Sequence, residues 1–251
     1  MNRRLGLLRW LLLAALLAGC GAAAQVAASQ RPPADGPTCR TGFVRVGNER
    51  VTLAAVVQTR VRAFRRPGAK PFASFGRLNV NGFPTVFRVL AVRRTRDCSP
   101  RWYRVQLPIK PNGVTGYVRA SAVRTGRVRS RVVVDISARK LTLFRSGKPM
   151  LRVTIAVGSP ATPTPTGQYY VNQRLIPANP SGPFGPAAIG ISAYSPVLTH
   201  WVQGGPVAIH GTNEPWSIGR AVSNGCIRVH NPVLRRLFKV TPAGTPVFIR
   251  R

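Results

Sequence analysis

The sequence predicts a mainly β protein, built from two small domains with one helix near the C-terminus. Short apolar runs broken by Gly, Pro and Asn recur from Arg45 to Val123, and their lengths suit the strands of a small barrel or sandwich. A second series of such runs begins at Val132 and indicates a β-meander with one buried face. The total of 251 residues fits one or two domains.

The first 20 residues are predicted to be an export signal. Arg3, Arg4 and Arg9 precede an apolar run from Trp10 to Ala18, the order of a charged and then a hydrophobic signal region. That run is too short to cross a membrane as a helix. Residues 21–40, rich in Ala, Gln, Pro and Gly, then indicate a flexible tether.

The signal ends Leu17-Ala18-Gly19-Cys20, which resembles a bacterial lipobox. The resemblance implies that Cys20 is diacylated and becomes the mature N-terminus. Two or more acyl chains would then anchor the protein to the outer face of the cell membrane, facing the cell wall. The alternative is an ordinary signal peptide, with Cys20 discarded or buried.

The charge of the chain is strongly one-sided. The sequence has 38 Lys and Arg against five Asp and Glu, for a formal charge of +33. Such a balance favours anionic partners. Because the signal places the protein outside the cytoplasm, we expect no nucleic acid, and instead anionic wall polymers or a membrane surface.

Three cysteines lie beyond the signal. Cys39 and Cys98 bracket the first domain, and in an oxidising compartment they are expected to pair. Closing a loop of that length contributes roughly 4 kcal/mol in the chain-entropy model. Cys226 is left alone, and an unpaired cysteine in an exported protein is either buried and inert or reactive.

The first domain is predicted to span residues 41–125. A strand at Trp102–Val105, a turn at Pro111–Gly113 and a strand at Gly116–Val118 give it the pattern of a hairpin. This pattern resembles a bacterial SH3-like domain, a module found beside wall-modifying enzymes. The alternative is a structural barrel without a ligand. An Arg-rich linker is expected from Arg124 to Arg131.

The second domain is predicted to span residues 130–251. Pro177 to Pro206 is rich in Pro and Gly with little periodicity, so we expect a long loop or lid. Within it, Tyr194 and Trp201 are candidates for the floor of a substrate groove, although packing roles fit them equally. Asn231-Pro232 is expected to cap and begin the helix, and residues 245–249 to form a closing strand.

Two classes of chemistry are disfavoured. Past residue 130 the chain has only Asp135 and Glu214, which disfavours a mechanism built on paired carboxylates. The His and Cys residues do not show the close paired spacing of zinc sites. We therefore expect no metal and no cofactor.

A thiol and an imidazole remain. His210 lies in Ile209-His210-Gly211-Thr212, and Cys226 in Ser223-Asn224-Gly225-Cys226-Ile227-Arg228. An imidazole can act as the base that activates a thiol. Gly225 lacks a Cβ, so backbone N–H groups around it can approach an oxyanion. Arg228 is expected to stabilise a thiolate, bind a substrate carboxylate or order the loop.

These two segments resemble the signature of the L,D-transpeptidase (YkuD-like) catalytic domain in order, spacing and position, over residues 130 to 250. The resemblance implies a β-sandwich in which Cys226 is the nucleophile, His210 the general base, and Gly211 the residue whose carbonyl orients the imidazole. It implies an oxyanion hole at Gly225 and Cys226. Asn224 replaces the His of many members, and Asn can donate a hydrogen bond there but cannot take up a proton.

Substrate contacts are expected from Ser223 and Arg228, beside Tyr194 and Trp201. The family implies that the thiol attacks a peptidoglycan tetrapeptide stem before its terminal D-Ala. A second stem amine would then resolve the thioester into a 3→3 cross-link. Stem peptides would thus be both acyl donor and acceptor, and we expect a monomer.

Four alternatives stay open at this stage. Water as acceptor would make the protein an L,D-carboxypeptidase, and a free D-amino acid would make it an exchange enzyme. A sortase-like enzyme also has His before Cys, but a convincing Thr-Leu-x-Thr-Cys strand is missing. A non-catalytic wall-binding lipoprotein would need no reactive Cys226.

Overall fold

A computed structural model describes residues 39–40 and 42–251. The predicted signal, Cys20 and most of the predicted tether lie outside these residues. The expectation of a mainly β protein is confirmed, since the described residues form eighteen strands and one α-helix. No helix in this described part is long and apolar enough to cross a membrane.

The first domain is an antiparallel sheet of eight strands. Strands β4, β3, β7, β6, β5, β2 and β8 are hydrogen-bonded in that order, and β1 pairs with β5. Their inner faces share one hydrophobic core around the fully buried Phe87, Val105 and Leu107. The strands are β1 (Phe43–Arg45), β2 (Thr52–Val57), β3 (Val61–Phe64), β4 (Pro71–Phe75), β5 (Val86–Arg94), β6 (Pro100–Gln106), β7 (Thr115–Arg119) and β8 (Val123–Val128).

The Arg-rich segment expected to be a linker is instead strand β8. It pairs with β2 along its whole length, from Thr52↔Val128 to Val57↔Val123. Only Val128 of this edge strand is buried, so its sequence lacks the apolar alternation that marks a strand. The first sheet therefore continues almost to the start of the second domain.

The second domain contains a mixed eight-stranded sheet. Its order is β11, β10, β9, β18, β13, β14, β15 and β17, and the predicted meander is its first three strands. A small parallel pair, β12 and β16, lies beside it. The strands are β9 (Ser130–Asp135), β10 (Lys140–Arg145), β11 (Lys148–Thr154), β12 (Val157–Gly158), β13 (Gly167–Leu175), β14 (Ala188–Tyr194), β15 (Pro206–His210), β16 (Ala221–Ser223), β17 (Ile227–Arg228) and β18 (Pro246–Arg250).

The expectation of one long loop from Pro177 to Pro206 is wrong. Strand β14 lies inside that range, between β13 and β15, and six of its seven residues are buried. A strand buried on both faces shows no alternation of polar and apolar residues, and in this one small residues are mixed with isoleucines. Only the stretches on either side of β14 are loops.

The predicted helix is present as α1 (Asn231–Val240), and its buried residues Leu234 and Leu237 pack into the core of the second domain. His230, not Asn231, is the capping residue. Asn231 already lies inside the helix, and its side chain binds the backbone of a neighbouring loop. The expected cap was therefore displaced by one position.

Polar contacts join the two domains in one compact unit. Asn112 receives the Tyr194 N–H and donates to the Tyr194 carbonyl, both at 2.8 Å, while the Tyr194 hydroxyl donates to the Pro108 carbonyl at 2.7 Å. The Gln106 amide donates to the Gln168 carbonyl at 2.5 Å. Within the first domain, Cys39 and Cys98 are joined by a disulfide. The junction between the domains is therefore fixed at several separate points.

Candidate active site

Parallel pairing of β15 with β17 places three polar side chains on one face of the sheet. The register is Ile209↔Ile227 and His210↔Arg228, and both isoleucines are fully buried in the core. Because side chains alternate along a strand, His210 and Arg228 point to the opposite face, and so does Cys226, two residues before Arg228. Strand spacing puts the Cα atoms of His210 and Cys226 about 8 Å apart.

A tight turn ahead of β17 presents Cys226. Gly225 has φ +101°, a conformation that residues with a Cβ rarely adopt. The buried Ser223 hydroxyl closes the turn, because it accepts the Gly225 N–H at 3.2 Å and donates to the Cys226 carbonyl at 2.5 Å. Among the described residues, the Cys226 N–H has no hydrogen-bond partner. This N–H is therefore available to an oxyanion.

Two threonines of the Pro-rich loop 158–166 hold the same turn through hydrogen bonds. The Thr164 hydroxyl donates to the Gly225 carbonyl at 3.0 Å and accepts the Gly158 N–H at 2.8 Å. The Thr162 hydroxyl donates to the Ser223 carbonyl at 2.9 Å. A Cβ at Gly158 would lie 2.5 Å from the Thr164 nitrogen, so only glycine permits this approach. The loop thereby fixes the backbone that carries the thiol.

His210 is buried, with 4% of its surface exposed. Its Nδ1 lies 2.5 Å from the Gly211 carbonyl oxygen. A carbonyl can only accept, so Nδ1 carries the proton and Nε2 is left as the basic nitrogen. The ring of Phe184 packs edge-on against the imidazole, with centroids 5.0 Å apart. Orientation and tautomer of His210 are thus both set by its neighbours.

Asn231 positions the residues that hold His210. Its side-chain oxygen accepts the Thr212 N–H at 2.8 Å. A Cβ at Gly211 would overlap that oxygen and lie 3.0 Å from Cδ of Pro186. Glycine is therefore required at position 211 for the carbonyl and the helix to meet. The first residue of α1 thus anchors the strand end that bears the imidazole.

Burial keeps both reactive groups neutral. It lowers the pKa of His210 to about 4, with the nearby charge of Arg228 acting in the same direction and the Gly211 hydrogen bond opposing it. Burial also raises the pKa of the Cys226 thiol, against a hydrogen bond with the Ala208 backbone and the charge of Arg228. Near pH 7 the site therefore holds a thiol beside an uncharged imidazole, not a preformed thiolate and imidazolium.

Arg228 is itself paired. Its guanidinium binds the carboxylate of Glu214, and its side chain is 18% exposed. Glu214 is placed by a short turn, in which its N–H donates to the Thr212 hydroxyl at 2.9 Å and its carbonyl accepts the Ser217 hydroxyl at 2.7 Å. This carboxylate offsets part of the positive charge beside the thiol. Such an arrangement, a thiol with an adjacent neutral base and a free N–H, is suited to acyl transfer.

The second domain is similar to a family of known proteins. Residues 129–249 match the model of the YkuD family, described as the L,D-transpeptidase catalytic domain. A putative L,D-transpeptidase YkuD of Bacillus subtilis is 42% identical over 120 residues, which are 48% of this chain and 65% of that protein. The putative L,D-transpeptidase YqjB of the same species is 32% identical over 128 residues, 47% of this chain and 69% of that protein.

The chain belongs to the L,D-transpeptidase family. It covers 65% and 64% of the first two Bacillus relatives, just under two thirds of each. Among solved structures, the catalytic domain of an E. faecium L,D-transpeptidase is 26% identical, with a TM-score of 0.36 over 48% of this chain and 96% of that one.

The L,D-transpeptidase domain brings most of the sequence-predicted site residues together. His210, Cys226 and Arg228 share one face, and the Gly211 carbonyl binds His210 as expected. Asn224 is exposed in the turn before Cys226. Gly225, expected to supply an oxyanion donor, already gives its N–H to Ser223. Its contribution is the shape of the turn.

Two expected substrate residues have other contacts. Ser223 is buried, and its hydroxyl is used within the turn, so it cannot reach a substrate. Tyr194 is engaged with the first domain through Asn112 and Pro108, which makes it a docking residue. Trp201 is half exposed in a short turn, where its backbone bonds to Leu198 and Gly204. No group of three or more metal-ligating side chains is found in the described residues.

Several residues of the candidate site were not predicted from the sequence. Thr162, Thr164 and Asn231 act through single hydrogen bonds across more than 15 residues of chain, for which one sequence carries no signal. Phe184 was hidden in the segment interpreted as a lid. Gly158 and Gly211 can be read in the sequence, but the close contacts that require glycine at these positions cannot be predicted from it.

The depressed pKa of His210 predicts a loss of stability in acid. The unfolded imidazole binds a proton below about pH 6.5, whereas the folded one does so only near 4, so stability is lost as the pH falls between these values. The full effect is about 3 kcal/mol. We expect His210→Gln to lose correspondingly less unfolding free energy than the unaltered chain between pH 7 and pH 4.5.

Urea unfolding at both pH values measures this difference. His230→Gln, a change at an exposed histidine, is the matched control and should follow the unaltered chain. Equal losses in all three proteins would contradict a buried, neutral His210.

Proposed function

We propose that the chain is a peptidoglycan L,D-transpeptidase that forms 3→3 cross-links through a Cys226 thioester. The observation that carries the proposal is the shared face of β15 and β17, where Cys226 and His210 meet above the buried isoleucines. Cys226 is the free cysteine of the described residues. Membership of the L,D-transpeptidase family supplies the substrate class.

The proposed first half-reaction forms the thioester. Nε2 of His210 takes the thiol proton as Sγ attacks the carbonyl carbon of the stem residue that precedes the terminal D-Ala. The Cys226 N–H and the Asn224 amide stabilise the oxyanion. The imidazolium then returns its proton to the leaving nitrogen, and D-Ala departs.

The second half-reaction consumes the thioester. The side-chain amine of another stem attacks the acyl carbon, His210 accepts a proton from this amine, and the thiol is restored as the new amide forms. Because His210 is neutral at pH 7, it is ready to act as base in both halves. Arg228, already paired with Glu214, adjusts the charge around the thiol more than it recruits a carboxylate.

Other acceptors and roles differ in their products. Water at the thioester would release a tripeptide stem, and a free D-amino acid would exchange with D-Ala. A non-catalytic wall-binding protein would release nothing. Product masses therefore distinguish all of these from cross-linking.

Cys226→Ala should abolish release of D-Ala and formation of dimers from a purified disaccharide-tetrapeptide, while the unaltered chain gives both. Mass spectrometry of the products, and of the protein for a thioester adduct, is the measurement. His230→Gln is the control and should retain turnover. Release of D-Ala without dimers would mean a carboxypeptidase, and turnover by Cys226→Ala would refute the assignment of the nucleophile.

Thr164 is proposed as a positioning residue for the thiol turn. Thr164→Val removes both of its hydrogen bonds and should lower kcat roughly tenfold with KM nearly unchanged, because small displacements of a reacting group cost rate. Thr164→Ser should restore most of the rate, and the exposed Thr166→Val is the matched control. Equal effects at both threonines, or a change confined to KM, would contradict this role.

We also propose that the chain is an exported lipoprotein anchored through Cys20, and that residues 41–125 form an SH3-like module. The lipobox-like sequence and the all-β first domain support these assignments, and the excess of arginine supports binding of anionic wall polymers. Attachment by lipid resists salt, whereas attachment by charge is screened by it.

Cys20→Ser should therefore move the protein from the membrane fraction to the soluble one. Binding of that soluble form to purified walls should fall between 50 mM and 500 mM salt, where screening increases several-fold. A Cys20→Ser protein that remains in the membrane fraction would argue against lipidation, and salt-independent wall binding would argue against the charge mechanism.

A further inference from the structure

A cavity of about 740 Å³ lies where the two domains meet, well away from Cys226 along the sheet. Its walls come from β1, β5 and β6 of the first domain and from β9, β13 and β18 of the second. Its charged lining is strongly basic, with Glu49 as the one carboxylate. The lining arginines are Arg45, Arg88, Arg104, Arg131 and Arg250.

Arg88 is the most unusual of these side chains. Its Nε and Nη1 are buried and have no hydrogen-bond partner among the described residues, and Nε of Arg131 is in the same condition. The Arg88 guanidinium lies 5.2 Å from the ring centroid of Phe248, across the domain junction. Burial lowers the pKa of Arg88. Arg88 therefore lines the cavity with a partly buried side chain, two of whose donors are packed beneath the surface without a partner.

The unpartnered donors of Arg88 and Arg131 destabilise the fold if no ligand is bound. An unpartnered buried donor has lost its hydrogen bonds to water without gaining others, and the loss of stability is larger when the donor is charged. An apolar side chain of similar volume would often be as stable or more so. Carboxylate partners are scarce, because the chain has five acidic residues against 38 basic ones. Glu49 and Asp135 already pair with Arg131 and Arg250.

We propose that this junction cavity binds a phosphate group, as a monoester or a diester. Arginine presents paired donors that match phosphate oxygens. Because five arginines from two walls line one cavity, an acceptor with three or four oxygens can use more of them than a carboxylate can. The volume lies within the usual range for small-molecule sites and admits the group to which the phosphate is attached.

The site has a consequence for the whole molecule. Arg45, Arg88 and Arg104 belong to the first domain, and Arg131 and Arg250 to the second, so a bound phosphate is shared between the domains. A ligand that binds only the docked state stabilises that state. Phosphate is thereby expected to favour docking without altering the thiol chemistry.

Calorimetric titration of the full chain with inorganic phosphate tests the proposal, in a non-ionic detergent and with ionic strength held constant by potassium chloride. We expect saturable binding of one phosphate per chain, weakened at least tenfold by Arg88→Met. Arg62→Met, which removes an exposed arginine of β3 outside the cavity, is the matched control and should bind as the unaltered chain does.

Folding of the variant is checked separately. In chloride alone, Arg88→Met should have a Tm equal to or above that of the unaltered chain and should retain its turnover. If Arg88→Met does not fold, Arg104→Met, at an exposed position of the cavity wall, takes its place with the same expected loss. Absence of binding by the unaltered chain, or equal binding by all variants, would overturn the proposal.

Competition distinguishes the sources of phosphate. Displacement of phosphate by soluble glycerol phosphate would support the site and point to a polymer or metabolite ester. Arg88-dependent displacement by phosphatidylglycerol vesicles alone would support it and point to a lipid headgroup.

Discussion

The register between β15 and β17 is the constraint on which the active site depends. In a strand, a slip of one residue would turn every side chain to the other face, so His210 and Cys226 meet only in this register. Strand β17 has just two residues and would hold its place poorly by itself. It is secured on its other side, where Ala156 and Arg228 exchange two backbone hydrogen bonds, of 2.9 and 3.0 Å. Hydrogen bonds of the turn before β17 and of α1 then fix the backbone around the two side chains that the register aligns.

Burial of the two reactive groups gives the site its chemical character. A thiolate is the form of cysteine that oxidants attack, and the export proposed for this chain would place it in an oxidising compartment. In the proposed mechanism, holding Cys226 as a thiol until substrate arrives would protect it, while a neutral His210 would remain available to remove the proton. The Arg228–Glu214 pair limits the positive charge that would otherwise favour ionisation of the thiol. In the proposed mechanism the thiol is therefore deprotonated only as it attacks the substrate, and no thiolate is present beforehand.

The sequence predicted the strands better than it predicted the contacts that support the candidate site. Alternating apolar residues predicted the meander β9–β11. The motifs around His210 and Cys226, which resemble the L,D-transpeptidase signature, predicted these two residues as the reacting pair, and the fold places them on one face of the sheet. Strands β8 and β14 were missed for opposite reasons, since one is almost entirely exposed and the other almost entirely buried, so neither alternates. The contacts of Asn231, Thr164 and Tyr194 join residues distant in the chain, and only the folded structure defines them.

The junction and the thiol site use different parts of one sheet. Strands β9, β13 and β18 line the junction cavity, and β14 separates them from β15 and β17. An interaction at the junction can thus set how the domains dock without moving the register that aligns His210 with Cys226. Most of the arginines on this protein are exposed and need no specific partner. Arg88 differs among the described arginines, because two of its donors are buried without a partner where packing alone would favour an apolar side chain. Retention of a charge at that position is best explained by a ligand that the chain does not itself supply.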